Sequence, residues 1–454
     1  MTSRFMQRAV DLIVSTPPQP IEALPFARLA FEDTLAVGFA GWAEPVARGI
    51  ASVVPGGLKQ KPAGPVTTSL TDASLLYGAA AHALDYDDVH QVSTTHPSVP
   101  IVAALVAARR AVPEHAERLA SAYAVGLGLN VGLGRVLGFS HYEKGWHATS
   151  TIGPLAAAAA LAHYFGLNRA ASAYALAMAA ASAGGLQRNF GTMAKPLQAG
   201  LAAETGARAA LLARAGVTAD PDVFGAKGYF DLYAGERGGE SADAVELDSK
   251  GEGICVKLYP CCYMTHRPTA AALDARRKLA KAGIALERVA DVEVRGDKGV
   301  FLALRVTDPQ TGNDGKFCGP FVVACALLDG AVGLVHFTDL AVKRADARAL
   351  MAKVRLVERN PDAAHGDVQG GPIELIVRDA GGQVLVHTKR EAFPGDPQDP
   401  PTAAQRRNKV KDCLAHYSAT SGQTFTYRRF QSFLDRLFLP EADAKSPAVM
   451  ASDD

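Results

Sequence analysis

Ala148-Thr-Ser-Thr-Ile-Gly-Pro-Leu-Ala-Ala-Ala-Ala-Ala-Leu-Ala-His-Tyr-Phe165 is apolar and dominated by alanine, and residues 169–183 repeat its character after a short break. Alanine has the strongest helix propensity but buries little surface, so such helices must pack closely inside a bundle. Upstream, residues 119–136 carry Gly126, Gly128, Gly132 and Gly134 on a helical background. Their spacing is GxGxxxG, no strand precedes them and no acidic partner follows. This is close helix packing and not a dinucleotide loop. Periodicity adds helices over 26–38, over 73–84 with Asp72 as its cap, and over 99–110. Downstream, 198–215 reads as another helix ended by Gly216, with Pro196 near its start.

The text changes near residue 267. After a helix over 269–280, strands are expected over 290–295, 353–358, 373–378 and 383–389, with a helix over 321–328. Asp379-Ala-Gly-Gly382 makes a hairpin turn between the last two strands. Gly395-Asp-Pro-Gln-Asp-Pro-Pro401 is a linker by composition, helices resume over 402–417 and 427–438, and the tail after Pro440 is expected to fray. The fold class is therefore mainly α: a large all-helical domain over 1–266, a smaller α+β lid domain over 267–400, and helices over 401–454 returning to the first domain.

Composition narrows the function classes. A chain of 454 residues with 48% apolar and 20% charged residues builds a large core. Its net charge of +1 and lack of Lys/Arg runs give nucleic-acid or membrane-surface binding no support. The longest apolar run, 153–167, is short of a membrane span, and Gln7, Arg8 and Asp11 break any N-terminal signal pattern, so a cytoplasmic protein is expected. Six cysteines without a CxxC pair fit a reducing compartment.

One stretch concentrates titratable groups: His82-Ala-Leu-Asp85-Tyr-Asp87-Asp88-Val89-His90-Gln-Val-Ser-Thr-Thr-His96-Pro97. Carboxylate and imidazole together are the parts of an acid–base site, since the acid fixes the imidazole's tautomer and raises its basicity. A helix ending at Asp85 with a solvated turn after it is the plain alternative. Three further stretches add candidates. His147 follows Gly145-Trp146. Lys195 stands just before Pro196, where an ammonium and helix N–H groups suit a carboxylate or phosphate. Lys257-Leu-Tyr-Pro-Cys-Cys-Tyr-Met-Thr-His266-Arg267 falls at the expected domain boundary. Asp85, Asp87 and His96 could bind a metal, but the neighbouring cations argue against it. No HExxH, EF-hand, G-x-S-x-G or P-loop occurs. The set suits proton abstraction α to a carboxylate, with ammonium groups stabilising the enediolate.

These stretches resemble the MmgE/PrpD family. Leu84-Asp85-Tyr-Asp-Asp-Val-His90 with His96-Pro-Ser98, Gly145-Trp-His147-Ala-Thr149, Asn189-Phe-Gly-Thr-Met-Ala-Lys195-Pro196, the 257–267 run and Lys316-Phe-Cys318 match its signatures in order. The family includes 2-methylcitrate dehydratases, cis-aconitate decarboxylases and iminodisuccinate epimerases. The resemblance implies a helical domain with an α+β lid, an active site between them, a homodimer, a small di- or tricarboxylate substrate, and neither metal nor organic cofactor. It places catalytic positions on Asp85, His96 and His147, and substrate-binding positions on Lys195 and Lys257. His266 and Arg267 join the second group on chemistry alone. Dehydration is the first expectation, then epimerisation, then decarboxylation. A non-catalytic carboxylate-binding protein is the alternative of another class. Three positions depart from the family pattern: Val89 for a threonine, Gln198 for a histidine and Phe321 for a tyrosine.

Overall fold

A computed structural model describes residues 3–64, 66–234, 239–247, 250–359 and 371–440. Their contacts divide into two units. A helical unit takes in the chain up to Arg188, Met193–Ile254 and the part from Ala403 onward. An α+β unit takes in Asn189–Thr192 and Cys255–Thr402. The tail after Pro440 lies outside the described residues.

In the helical unit the small residues set the packing. Helix Ala194–Arg214 lies against both Leu70–His82 and Ala148–Tyr164. A side chain on Gly200 would run into the Leu75 carbonyl and Ala79, one on Gly78 into Gly200, and one on Gly206 into Pro154 and Ala157. Backbones this close fit only glycine and alanine, so helices with little side-chain surface still bury what they have. Helix Leu119–Glu143 follows the same rule: side chains at Gly126 and Gly128 would meet the carbonyls of Ala156 and Leu247. The helix-packing reading of these glycines is thus the structural one. Pro113–Glu143 is long and apolar enough to cross a membrane by length and composition, yet 78% of its apolar window is buried in the fold, as in a core helix.

Two shifted helix starts in the helical unit bear on the acid–base residues. Leu70–His82 begins three residues early, with Ser69 as its cap: the Ser69 hydroxyl accepts from Asp72 N–H (3.1 Å) and donates to the Asp72 carboxylate (2.8 Å). Asp72 therefore sits inside the first turn. Ala194–Arg214 begins ahead of Pro196, which puts Lys195 in the first helical turn and not in the preceding loop. Pro154 lies inside Ala148–Tyr164 and cannot donate to the Ser150 carbonyl; that carbonyl accepts Gly184 N–H instead (3.4 Å), tying the 184–188 segment to the helix.

The α+β unit holds a four-stranded sheet in the order Val354–Arg359, Asp291–Asp297, Ile373–Arg378, Val384–Arg390. The first two strands pair in parallel and the other pairs are antiparallel. Val292 and Val294 point into the core while Arg295 stays partly exposed, the alternation of a sheet covered on one face. Helices His266–Lys281 and Gly319–Asp329 supply the cover. The hairpin turn forms as expected, its Asp379 carboxylate accepting from Gly381 and Gln383 N–H at 3.0 and 3.1 Å. Phe321, one of the three departures, is a fully buried member of this unit's core, edge-on to Phe337.

Candidate active site

Helix Leu70–His82 delivers the acid–base stretch at its C-terminal end, and Asp85 turns the chain. Its φ of 50° lies in the left-handed region, where a residue other than glycine carries a cost. Two groups hold it there: Asp85 N–H donates to His82 C=O (3.1 Å), and the Asp85 carboxylate is paired with the ammonium of Lys195. The turn folds Asp87 back under the helix end.

Asp87 is the hub. His82 Nδ1 lies 2.9 Å from both of its oxygens, and His96 Nδ1 lies 2.9 Å from Oδ2. A carboxylate can only accept, so His82 carries its proton on Nδ1 and its lone pair on Nε2, while His96 meets Asp87 at an ion-pair distance. His82 Nε2 receives the Lys195 ammonium at 2.8 Å, while His96 Nε2 lies 3.7 Å from Asp85 Oδ1. His147, the residue capping Ala148–Tyr164, places its ring 6.1 Å from that of His82, and the His82 and His96 rings are 4.4 Å apart. Its Nδ1 bonds Gln198 Oε1 at 2.7 Å. The Thr149 hydroxyl, in the first turn of the same helix, accepts from His96 N–H at 3.0 Å and fixes the second half of the stretch.

His82, Asp85, Asp87, His147 and Lys195 are buried, His96 and Gln198 partly so, and the charges respond. Burial alone would push the Asp87 carboxyl up, but His82 and His96 outweigh it and hold the group well below the usual carboxylate range. Burial lowers His82, with Lys195 acting in the same sense and Asp87 against it. Burial, then Lys195 and His82, hold His147 well below the ordinary imidazole value.

The donor atoms of His82, Asp85, Asp87 and His96 lie within 4.8 Å of one another, a spacing a metal ion could use. Lys195 already places an ammonium on two members of that set, and His82 Nδ1 faces Asp87 as a donor. The cluster carries its own cation, so a second one would meet direct repulsion.

Four of the expected site residues, Asp85, His96, His147 and Lys195, are thus brought together in the helical unit. Lys257, His266 and Arg267 belong to the α+β unit. There Lys257 is fully buried, His266 Nε2 donates to the Cys261 carbonyl (3.2 Å) within a ring cluster with Tyr259, Tyr263 and Phe393, and Arg267 donates to the Gly371 carbonyl (2.7 Å). Sequence reading set His82 and Asp87 within the titratable stretch, Asp87 also as a possible metal ligand, but gave neither a catalytic role. Their five-residue spacing across a helix end was the available signal. The third carboxylate, Asp88, takes no part: it accepts from Ser98 N–H (3.3 Å) and the Ser98 hydroxyl at the start of Ser98–Ala111, and burial pushes it up to about 7.

Residues 5–241 match the MmgE/PrpD N-terminal domain, and residues 259–426 match the MmgE/PrpD C-terminal domain. A cis-aconitate decarboxylase of Mus musculus is 27% identical over 362 residues, covering 75% of this chain and 71% of that protein. The cis-aconitate decarboxylase of Homo sapiens is 28% identical over 304 residues, covering 64% of this chain and 62% of its own length. One from Aspergillus terreus is 26% identical over 303 residues, covering 60% and 59%.

Proposed function

The chain belongs to the MmgE/PrpD family, and on that premise we propose that it is an acid–base lyase of a small di- or tricarboxylate, dehydrating a hydroxy acid of the 2-methylcitrate kind. The observation that carries this reading is Asp87 holding two imidazoles by Nδ1 beside the Lys195 ammonium. A lone pair on an imidazole Nε2 takes the proton α to a carboxylate, and the C–H electrons move into that carboxylate as an enediolate. Lys195 offsets the added charge where it develops. The enediolate then expels the β-hydroxyl, which leaves as water with a proton from His96 in its imidazolium form, the ring that lies between the Asp87 and Asp85 carboxylates. Lys257, His266 and Arg267 are proposed substrate contacts on the resemblance and their chemistry alone. The homodimer and the cytoplasmic location belong to the same proposal.

Decarboxylation is the second reading, favoured by the relatives named cis-aconitate decarboxylases. Loss of carbon dioxide leaves a carbanion conjugated with a carboxylate, which Lys195 would stabilise in the same way and an imidazole would protonate. The test incubates the purified chain in deuterated water with 2-methylcitrate, citrate, cis-aconitate and epimerisable succinate derivatives, followed by NMR and enoate absorbance. Enoate formation from a hydroxy acid is the expected result. Carbon dioxide release from cis-aconitate would move the second reading ahead, and exchange without product loss would make the protein an epimerase. Binding throughout without turnover would overturn the lyase reading.

A further inference from the structure

We propose that Gln198 is a positioning residue that fixes His147 as the Nδ1–H tautomer, making it the proton acceptor of the site and leaving proton donation to another group. The inference deepens the acid–base reading above and rests on it for the word acceptor, but its physical content is a property of the resting protein.

The argument begins with the amide. Gln198 Nε2 donates to the Leu186 carbonyl at 3.4 Å, and Oε1 faces His147 Nδ1 at 2.7 Å. Turning the amide over would set its oxygen against a carbonyl oxygen, so the carboxamide presents an acceptor to the imidazole. His147 Nδ1 therefore holds a proton, and the neutral ring carries its lone pair on Nε2. Such a ring can take a proton at Nε2 and has none to give there.

The other two imidazoles are held by the same atom but by a different partner. Asp87 is a carboxylate, and a carboxylate behind an imidazole favours the imidazolium. A carboxamide offers the hydrogen bond without the charge. Burial works first against protonating His147, and any positive charge on the groups facing it adds to that: Lys195 from Ala194–Arg214, His82 at the end of Leu70–His82, and His96 from the following stretch. A glutamate at 198 would cancel that bias, and a histidine, the family's residue there, would add another titrating ring. Gln198 is thereby the residue that separates a neutral acceptor from an Asp87-backed pair.

The test labels the histidines with 15N and reads the ring nitrogens of the full chain by NMR, with the His147 signals identified by their loss in His147→Asn. In the unsubstituted protein the Nδ1–H pattern should persist well below pH 6.5. Gln198→Glu should raise the His147 titration midpoint by about one pH unit or more, and the pH dependence of turnover with it. Gln198→Leu, which removes the acceptor, should shift the ring toward the Nε2–H form. An Nε2–H pattern in the unsubstituted protein, or a midpoint that ignores Gln198→Glu, overturns the inference even if a polycarboxylate is turned over. An Nδ1–H pattern in a protein that turns over none of them would leave the tautomer assignment standing and remove the proposed function.

Discussion

Lys195 is bonded to two different kinds of partner, an imidazole lone pair on His82 and the carboxylate of Asp85. Both bonds orient the ammonium, and neither consumes its charge fully, so it can serve a developing enediolate. Replacing it with a methionine of similar length keeps the packing and removes the charge. Lys195→Met should lower turnover about 100-fold or more at saturating substrate, the usual scale for losing one preplaced charge stabiliser. It should also raise the His147 and His82 titrations, because Lys195 depresses both. Turnover within a few-fold of normal would remove Lys195 from the chemistry. The side chain's type and motif were readable in the sequence, but not its place. Composition put Lys195 just before a helix start at Pro196, whereas the helix begins two residues earlier and buries the lysine.

The returning helix Ala403–Ser421 contributes an anchor for the acid–base stretch. Lys409 Nζ donates to the Tyr86 carbonyl (2.7 Å), pairs with Asp33 (2.6 Å) and lies 4.3 Å over the Tyr86 ring. Tyr86 stands between Asp85 and Asp87, so this helix holds the backbone from which both carboxylates project. Lys409→Met leaves Asp33 buried without its cation and should destabilise the protein by about 3–5 kcal/mol. Adding Asp33→Asn should restore most of that stability in urea unfolding while turnover stays low, since the Tyr86 carbonyl still lacks its donor. Full recovery of turnover in the double variant would refute the anchoring role. Helix and strand existence followed from periodicity, and the strand expected over 373–378 and the helix over 427–438 are found at those bounds. What periodicity does not encode is the left-handed turn at Asp85, a residue with no glycine signal. Without that turn the five-residue spacing of His82 and Asp87 does not read as a pair. Likewise Gln198 reads only as a departure until the fold brings it to His147, 51 positions away.

Across the whole molecule the buried imidazoles set the response to acid. Burial, the largest cause in each case, holds His82, His90, His141, His147 and His163 below their ordinary value, His90 and His141 at about 4. An unfolded chain would protonate these rings near pH 6.5, before the folded one does. Their contribution to stability is therefore present above about pH 6.5 and falls as the pH drops toward about 4, by about 1.4 kcal/mol per unit for each excess proton. Asp88, raised to about 7, and Asp33 and Asp412, also raised by burial, work in the opposite direction across that range but are outnumbered. The urea midpoint should thus be lower at pH 5.5 than at pH 7.5; a midpoint that is equal or higher would mean the rings are charged in the fold. The central claim, that Asp87 organises the proton-transferring imidazoles, is tested most directly by the rate of enoate formation from the hydroxy acid turned over, comparing the unsubstituted protein with Asp87→Asn. A carboxamide offers one oxygen where two imidazoles need acceptors, so the rate should fall by about 100-fold or more while the protein remains folded by circular dichroism. Enoate formation at an unchanged rate in Asp87→Asn would contradict the account.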